Sequence, residues 1–497
     1  MKFSAFLEFV QKFFQHCTSH PLAQTLVFKR MQSLRAWLVY FLALLVLGVV
    51  MLWLGWVLAP QIRPDPDSSD QGAYAYLARD MQNAAWPAIT DGVRNPLFPW
   101  LVAKFVKPTF KEHAEIAAYL IPGKRFNAAL ATLITLLIGL LAAYYLPPLP
   151  AWNVAAVSGL ACLLPIASYF GAEPIFYGLN FGVWFLGVWL LLRNPLWGYI
   201  LFGFFIGFAY LAKPSTTPFV ALFIWMSLLR VICCHFPSLP LALRAKDWKP
   251  WRFAVGILLV GLIQGAIILP RCLYSQERYG EPFYNAPGKW FWISEWSEAY
   301  PKYQLVRKQD LAKMSEDEQP TPTNFIKHHG WDFAWWKLGN GTFVRLQQLI
   351  LPEETLRKKV EKRGKPRKVL LPFRGMYLGC SLILMLILLG FVLVKKRYDL
   401  LGPWAFPFVF IFGTFAAYTL AYGWFLGIGP GPRYIMSMYI PLFFFSMFAA
   451  HYLRRISADS FSDAIYLLAQ IAPLVFIVPR LVSLFLRPEW ERMLYAF

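Results

Sequence analysis

The sequence predicts an all-α polytopic membrane protein, a bundle of about eleven transmembrane helices, and three features carry that expectation. Of its 497 residues, 58% are hydrophobic and 18% aromatic, and its mean hydropathy is +0.46, far beyond what a soluble domain needs to fill its core. The apolar residues fall in runs long enough to cross roughly 30 Å of hydrocarbon as helices. Between the runs, lysine and arginine gather in alternate loops, the asymmetry that orients membrane proteins.

In chain order the runs cover residues 36–59, 126–146, 152–170, 174–192, 196–212, 215–233, 253–270, 373–394, 401–424, 434–451 and 463–485. Pro165, Pro218 and Pro473 lie inside runs, which neighbouring helices tolerate in a bundle. Residues 1–35 lack an early apolar core, so no cleavable signal peptide is expected, and Lys29, Arg30 and Arg35 mark the segment as cytoplasmic. Arg193, Arg244, Lys246, Lys249, Lys395 and the Arg454–Arg455 pair put alternate loops on the same side. The chain then divides into a cytoplasmic segment 1–35, a transmembrane core 36–270, an outer loop or cap 271–372 and C-terminal spans 373–497. The core includes a first outer loop, 60–125. An inner (plasma) membrane protein results, with both long loops on the periplasmic or extracellular side.

The net charge of +21 fits topology signals and contact with anionic lipid head groups, and no nucleic-acid module is visible. A basic cluster, Arg357–Lys368, would lie outside just before a span, as a solvated stretch or a holder of lipid phosphates. Six cysteines offer no disulfide framework, and Cys233-Cys234-His235 lacks the second ligand pair of a zinc site.

Acidic residues concentrate in the first outer loop, beginning with Asp65, Asp67 and Asp70. From Asp70 to Asn83, Tyr74, Leu77, Ala78 and Met81 recur at helical spacing, which predicts an amphipathic interfacial helix. Ser68, Ser69 or Asp70 can cap its start. A second helix is expected after Asp91-Gly92, with Pro96 and Pro99 in its first turns. Asp65 and Asp67 share the Asp-x-Asp spacing of metal-binding nucleotide-sugar enzymes, but those are soluble folds; no cofactor is expected, with a divalent metal as the lesser alternative. The stretch Lys289–Trp296 suggests an aromatic lid or belt, and residues 305–323 a mobile segment.

Asp70, Tyr74 and Ala78 just past the first span, followed by Arg94, Pro96 and Pro99, resemble the opening loop of GT-C membrane glycosyltransferases. The likeness is to the bacterial branch of aminoarabinose and lipopolysaccharide-core transferases, and more distantly to protein O-mannosyltransferases. Ser168 to Pro174, Gly203 to Pro214 and Arg433-Tyr434 with Pro441 fit the same pattern. Gln71 stands where those enzymes tend to have Glu, and Lys213 where arginine is frequent.

The resemblance implies a polyprenyl-phosphate-sugar donor, a hydroxyl acceptor on a lipid, glycan or protein, and inverting transfer at the outer membrane face. Asp70 is then the expected base, with Asp67 and Asp91 behind it. Arg94, Lys213, Arg271, Arg433 and Tyr434 are expected at the donor phosphate, and Glu173 and Tyr74 at the sugar or acceptor. Each has a plain structural counterpart: helix capping, a turn, or interfacial anchoring. A transporter or flippase of lipid-linked sugars shares the same topology and outer cations, although the spans show no internal repeat or midplane acids. A non-catalytic membrane subunit is the third reading.

Overall fold

The computed structural model of the protein describes residues 34–67, 70–236, 248–294, 314–350, 373–395, 401–425, 433–457, 462–471 and 475. Every regular element among them is helical. In chain order they are α1 (Leu34–Leu58), α2 (Gln71–Asp80), α3 (Leu97–Phe105), α4 (Ile116–Tyr145), α5 (Pro148–Ala167), α6 (Glu173–Arg193), α7 (Leu196–Ala212), α8 (Thr217–His235), α9 (Pro250–Tyr279), α10 (Pro322–Ile350), α11 (Phe373–Val394), α12 (Ala405–Trp424) and α13 (Tyr439–Ser457). Nine helices among the described residues are long and apolar enough to cross a membrane, so the chain is a multi-pass integral membrane protein.

Against the expected count of about eleven, nine such helices stand among the described residues. The run at 196–212 forms α7, whose 17 residues reach about 25 Å at 1.5 Å per residue, and the run at 463–485 is described only at 462–471 and 475. The second long loop is also less of a loop than its polarity suggests. Helix α9 continues through Arg271 to Tyr279, and α10 occupies 29 residues with a non-helical Gly330 inside it. Ser68, Ser69, Cys17, Arg244, Lys246, Pro473, residues 305–313 and the Arg357–Lys368 cluster lie outside the described residues.

Local chemistry sets the helix ends. Asn194 closes α6 and Gly280 closes α9, both in the left-handed region with φ of 54° and 74°, the conformation these residue types adopt at least cost. Asn194 also donates to Lys249 O at 2.8 Å and accepts from the Tyr199 hydroxyl at 2.6 Å, pinning the α6–α7 turn to the start of α9. Small residues let spans approach: a Cβ on Gly55 of α1 would sit 2.2 Å from the Ala128 Cβ of α4, a spacing that gains dispersion contacts where apolar burial gives no advantage over lipid.

Helices α2 and α3 form a small apolar unit at one end of the bundle, below called the site end. Tyr74, Leu77, Ala78 and Met81 are buried as their spacing predicts, against Phe98, Val102, Phe170 and the start of α4. Gln71 fastens the unit: its amide donates to Arg63 O and Asp65 O at 3.2 and 3.1 Å and accepts from Phe170 N at 3.1 Å. A glutamate there would lose both donations.

The tightest crossing joins α10 to α12, where a Cβ on Gly341 would lie 1.9 Å from Gly423 O. Gly341→Ala should therefore force the helices apart and cost about 1–3 kcal/mol, lowering the unfolding temperature in detergent. Gly339→Ala, where nothing lies within 4 Å, should hold or raise it; equal effects of the two substitutions would contradict this packing.

Candidate functional site

The site begins as a turn. Asp91 Oδ1 accepts from the backbone N–H of Val93 and Arg94 at 2.9 and 2.7 Å, and Thr90 Oγ1 donates to Arg94 O at 2.6 Å. Gly92 holds φ at 79° with its open face against the Tyr284 ring, which a Cβ would meet at 2.6 Å. The turn aims Arg94 inward, and Asp91 Oδ2 accepts from Arg94 Nη1 at 2.6 Å. The other arm of that guanidinium, Nη2, donates to Asp70 Oδ1 at 2.7 Å.

Asp70 opens α2, but its side chain makes no capping bond to the helix, contrary to the capping expectation. Its second oxygen accepts from Arg433 Nη2 at 2.9 Å. Arg433 Nη1 approaches Glu173 Oε1 at 3.6 Å, and Lys213 Nζ pairs with the same oxygen at 2.8 Å. One alternating string results: Asp91, Arg94, Asp70, Arg433, Glu173, Lys213. It draws on the first long loop, the start of α6, the residue that closes α7 and the approach to α13. Glu173 is the first residue of α6 and only 6% exposed in its side chain, whereas Asp70 keeps 30%.

Aromatic groups frame the cationic half. Tyr434 stacks on Tyr422 with centroids 4.6 Å apart, Lys213 Nζ lies 5.0 Å from the Tyr434 ring, and the Tyr177 hydroxyl donates to Arg433 O. The buried Tyr74 ring meets Phe98 edge-on at 5.4 Å.

Two expected residues stand apart. Asp67 is 76% exposed and pairs with His113 at 3.3 Å, not with the string. Arg271, expected at the donor phosphate, is buried within α9 and donates to Tyr284 O at 2.7 Å and Pro282 O at 3.3 Å, so here it braces the segment after α9. Its chain of support is traceable: Tyr284 stacks on Tyr279 at 4.5 Å, the Tyr279 hydroxyl donates to Thr90 O at 2.9 Å, and Ala286 N donates to Gly92 O at 2.9 Å. Arg271 thus holds the turn that aims Arg94. Nothing in the sequence pairs Tyr279 and Tyr284 with a turn some 190 residues earlier. Of the expected aromatic stretch, the described part, 289–294, has Trp290 buried and Trp292 5.9 Å from Trp424.

The electrostatics follow from this string. Burial by itself raises the Asp70 carboxyl, but the charges and hydrogen bonds of Arg433 and Arg94 outweigh it and hold the group down at about 2. Burial likewise works against the Arg94 charge, and Asp70 and Asp91 overcome it, keeping this guanidinium protonated even more firmly than usual. Burial pushes the Tyr74 hydroxyl well up, reinforced by Glu173 and Asp70, so it remains a neutral donor. Arg94 Nε is buried without an acceptor among the described residues. No three His, Cys, Asp or Glu side chains gather there closely enough to hold a metal ion.

Because the Asp70 value is depressed on folding, its stabilisation is present above the ordinary value of 3.8 and is lost as pH falls through about 2. Asp70→Asn should cost on the order of 2 kcal/mol at neutral pH. In unfolding titrations the gap between wild type and variant should close across that acid window; a gap independent of pH would mean the carboxylate is not ion-paired.

No family model matches the chain, and no curated protein or solved structure matches it.

Proposed function

We propose that the protein is a GT-C-type membrane glycosyltransferase that moves a sugar from a polyprenyl-phosphate donor to a hydroxyl of a lipid, glycan or protein at the outer face of a cell-envelope membrane. The observation that carries this reading is the Asp70 carboxylate bridged between Arg94 and Arg433 at the end of an apolar bundle. A lipid-linked phosphate presents its charge at that level, and guanidiniums suit phosphate oxygens through paired N–H donors.

In this scheme the donor phosphate and Asp70 compete for the same two guanidiniums. While both are engaged, Asp70 is too weak a base to serve a hydroxyl. As the phosphate draws Arg94 and Arg433 toward itself, the carboxylate regains basicity where the proton must go. The acceptor oxygen then bonds to the anomeric carbon while its proton passes to Asp70. The bond from that carbon to the phosphate oxygen breaks, and the electron pair leaves with the phosphate, met by the guanidiniums. One base and a cationic clamp suffice for a single inverting displacement. Glu173, held by Lys213, and Tyr74 are the groups placed to orient sugar or acceptor hydroxyls. Asp91 acts by holding Arg94.

Purified protein given radiolabelled polyprenyl-phosphate sugars and membrane extract should transfer label. Asp70→Asn should still bind donor while losing roughly 10²–10⁴ in kcat, and Arg433→Ala should lose about 10²–10³. Asp67→Asn should remain close to wild type. If no donor in the panel yields transfer while vesicles show movement of the lipid-linked sugar across the bilayer, the protein is a transporter and the scheme falls.

A further inference from the structure

Helix α10 is amphipathic in the reverse of the usual sense. After the break at Gly330, where φ is 77°, one face of residues 331–350 carries Trp331, Trp335, Trp336, Phe343, Leu346 and Ile350. All are exposed, the first two at 65% and 66%. The opposite face is buried and holds Lys337, Arg345 and Gln348 beside Ala334, Gly341 and Leu349. Each inward polar group is engaged: Lys337 donates to Ile293 O and Ser294 O at 2.7 and 3.0 Å, and Arg345 to Tyr422 O at 2.9 Å and Gln348 Oε1 at 2.7 Å. In water this arrangement runs against the hydrophobic effect, since three indoles stay wet while two cations are desolvated.

We propose that residues 331–350 lie in the plane of the membrane surface at the site end, with their tryptophan face sunk into the boundary between lipid head groups and acyl chains. Three observations select lipid as the occupant. The buried face of α10 packs on the last turn of α12, with Gly341 on Gly423 and Arg345 on Tyr422 O, and reaches the first turn of α11, with Ile350 against Gly375, so protein covers that face and leaves the tryptophan face open. At Ile350 the helix meets the start of α11, a membrane-length apolar helix whose Ile383 and Leu386 are each 58% exposed, as a lipid-facing span would be. Half of the exposed apolar residues are indoles, the side chains that favour the interfacial level, and the one charge between them, Asp332, sits in the first turn after the break.

The arrangement stands independently of the transferase reading, yet it bears on the site. Arg345 holds the Tyr422 carbonyl, and the Tyr422 ring stacks on Tyr434 beside Arg433. The wall of the ion-pair string is therefore tied to a helix at head-group depth.

Nitroxide labels at Trp335→Cys, Phe343→Cys and Ile350→Cys, in full-length protein with its six native cysteines replaced and held in lipid nanodiscs, test this directly. The ratio of oxygen to nickel-chelate accessibility should exceed that of a label at Lys327→Cys, a 60% exposed side chain, by about tenfold. Nickel access equal to that at 327 would mean the face is in water; shielding from both reagents would mean it is covered by protein, such as a second copy. Either result overturns the proposal. Hydroxyl-radical footprinting of the wild type in nanodiscs probes the same face without cysteine replacement: the 331–336 peptide should be protected, and heavy oxidation of Trp331 and Trp335 would sink the idea.

Discussion

The arrangement of this protein's site end depends on one carboxylate. Asp70 opens α2, in the loop after the first span, and takes one guanidinium from 24 residues on and another from 363 residues on, so a single acid ties the first outer loop to the last described spans. In a poorly solvated setting such a bridge is strong only while every partner is present, because removing one leaves a buried charge uncompensated. The flanking pairs, Asp91 with Arg94 and Glu173 with Lys213, share that burden. The same bridge holds the acid in its least basic state, and the proposed chemistry requires that an anionic ligand loosen it.

Around the string, cations serve a second purpose. Lys124 donates to Ile62 O and Arg63 O at 2.7 and 2.8 Å where α1 has ended. Arg271, Lys337 and Arg345 bind main-chain carbonyls in the same manner. A chain leaving a membrane helix carries carbonyls that no further turn will satisfy, and one buried cation reaches two of them. These side chains nail connecting segments onto the bundle, and through the segment at 282–286 Arg271 determines where Arg94 points.

The sequence made the spans legible because their apolar length is a local property, Asp70 because acids are few and gather in the first outer loop, and Arg94 through its spacing to Pro96 and Pro99. The α2 face was equally readable from its period. What was not readable depends on partners distant in the chain. Arg271 has the same charge as Arg433 and a similar place near the site end, yet one meets carbonyls and the other carboxylates, a distinction set by the packing of α9. Helix α10 escaped notice because Lys337 and Arg345, which point inward, gave the segment the polarity of a water-exposed loop.

Gln71 has a consequence beyond its three hydrogen bonds. With an amide at that place, the ion-paired string contains three carboxylates and three cations, a closed set without net charge. A neutral cluster costs far less beside hydrocarbon than one with an uncompensated charge, but it holds no spare positive charge for the single negative charge that a phosphodiester brings. Occupancy by such an anion must then be accompanied by uptake of a proton or an inorganic cation from bulk water, which would make the affinity of the site a function of the ionic conditions on the face where it opens.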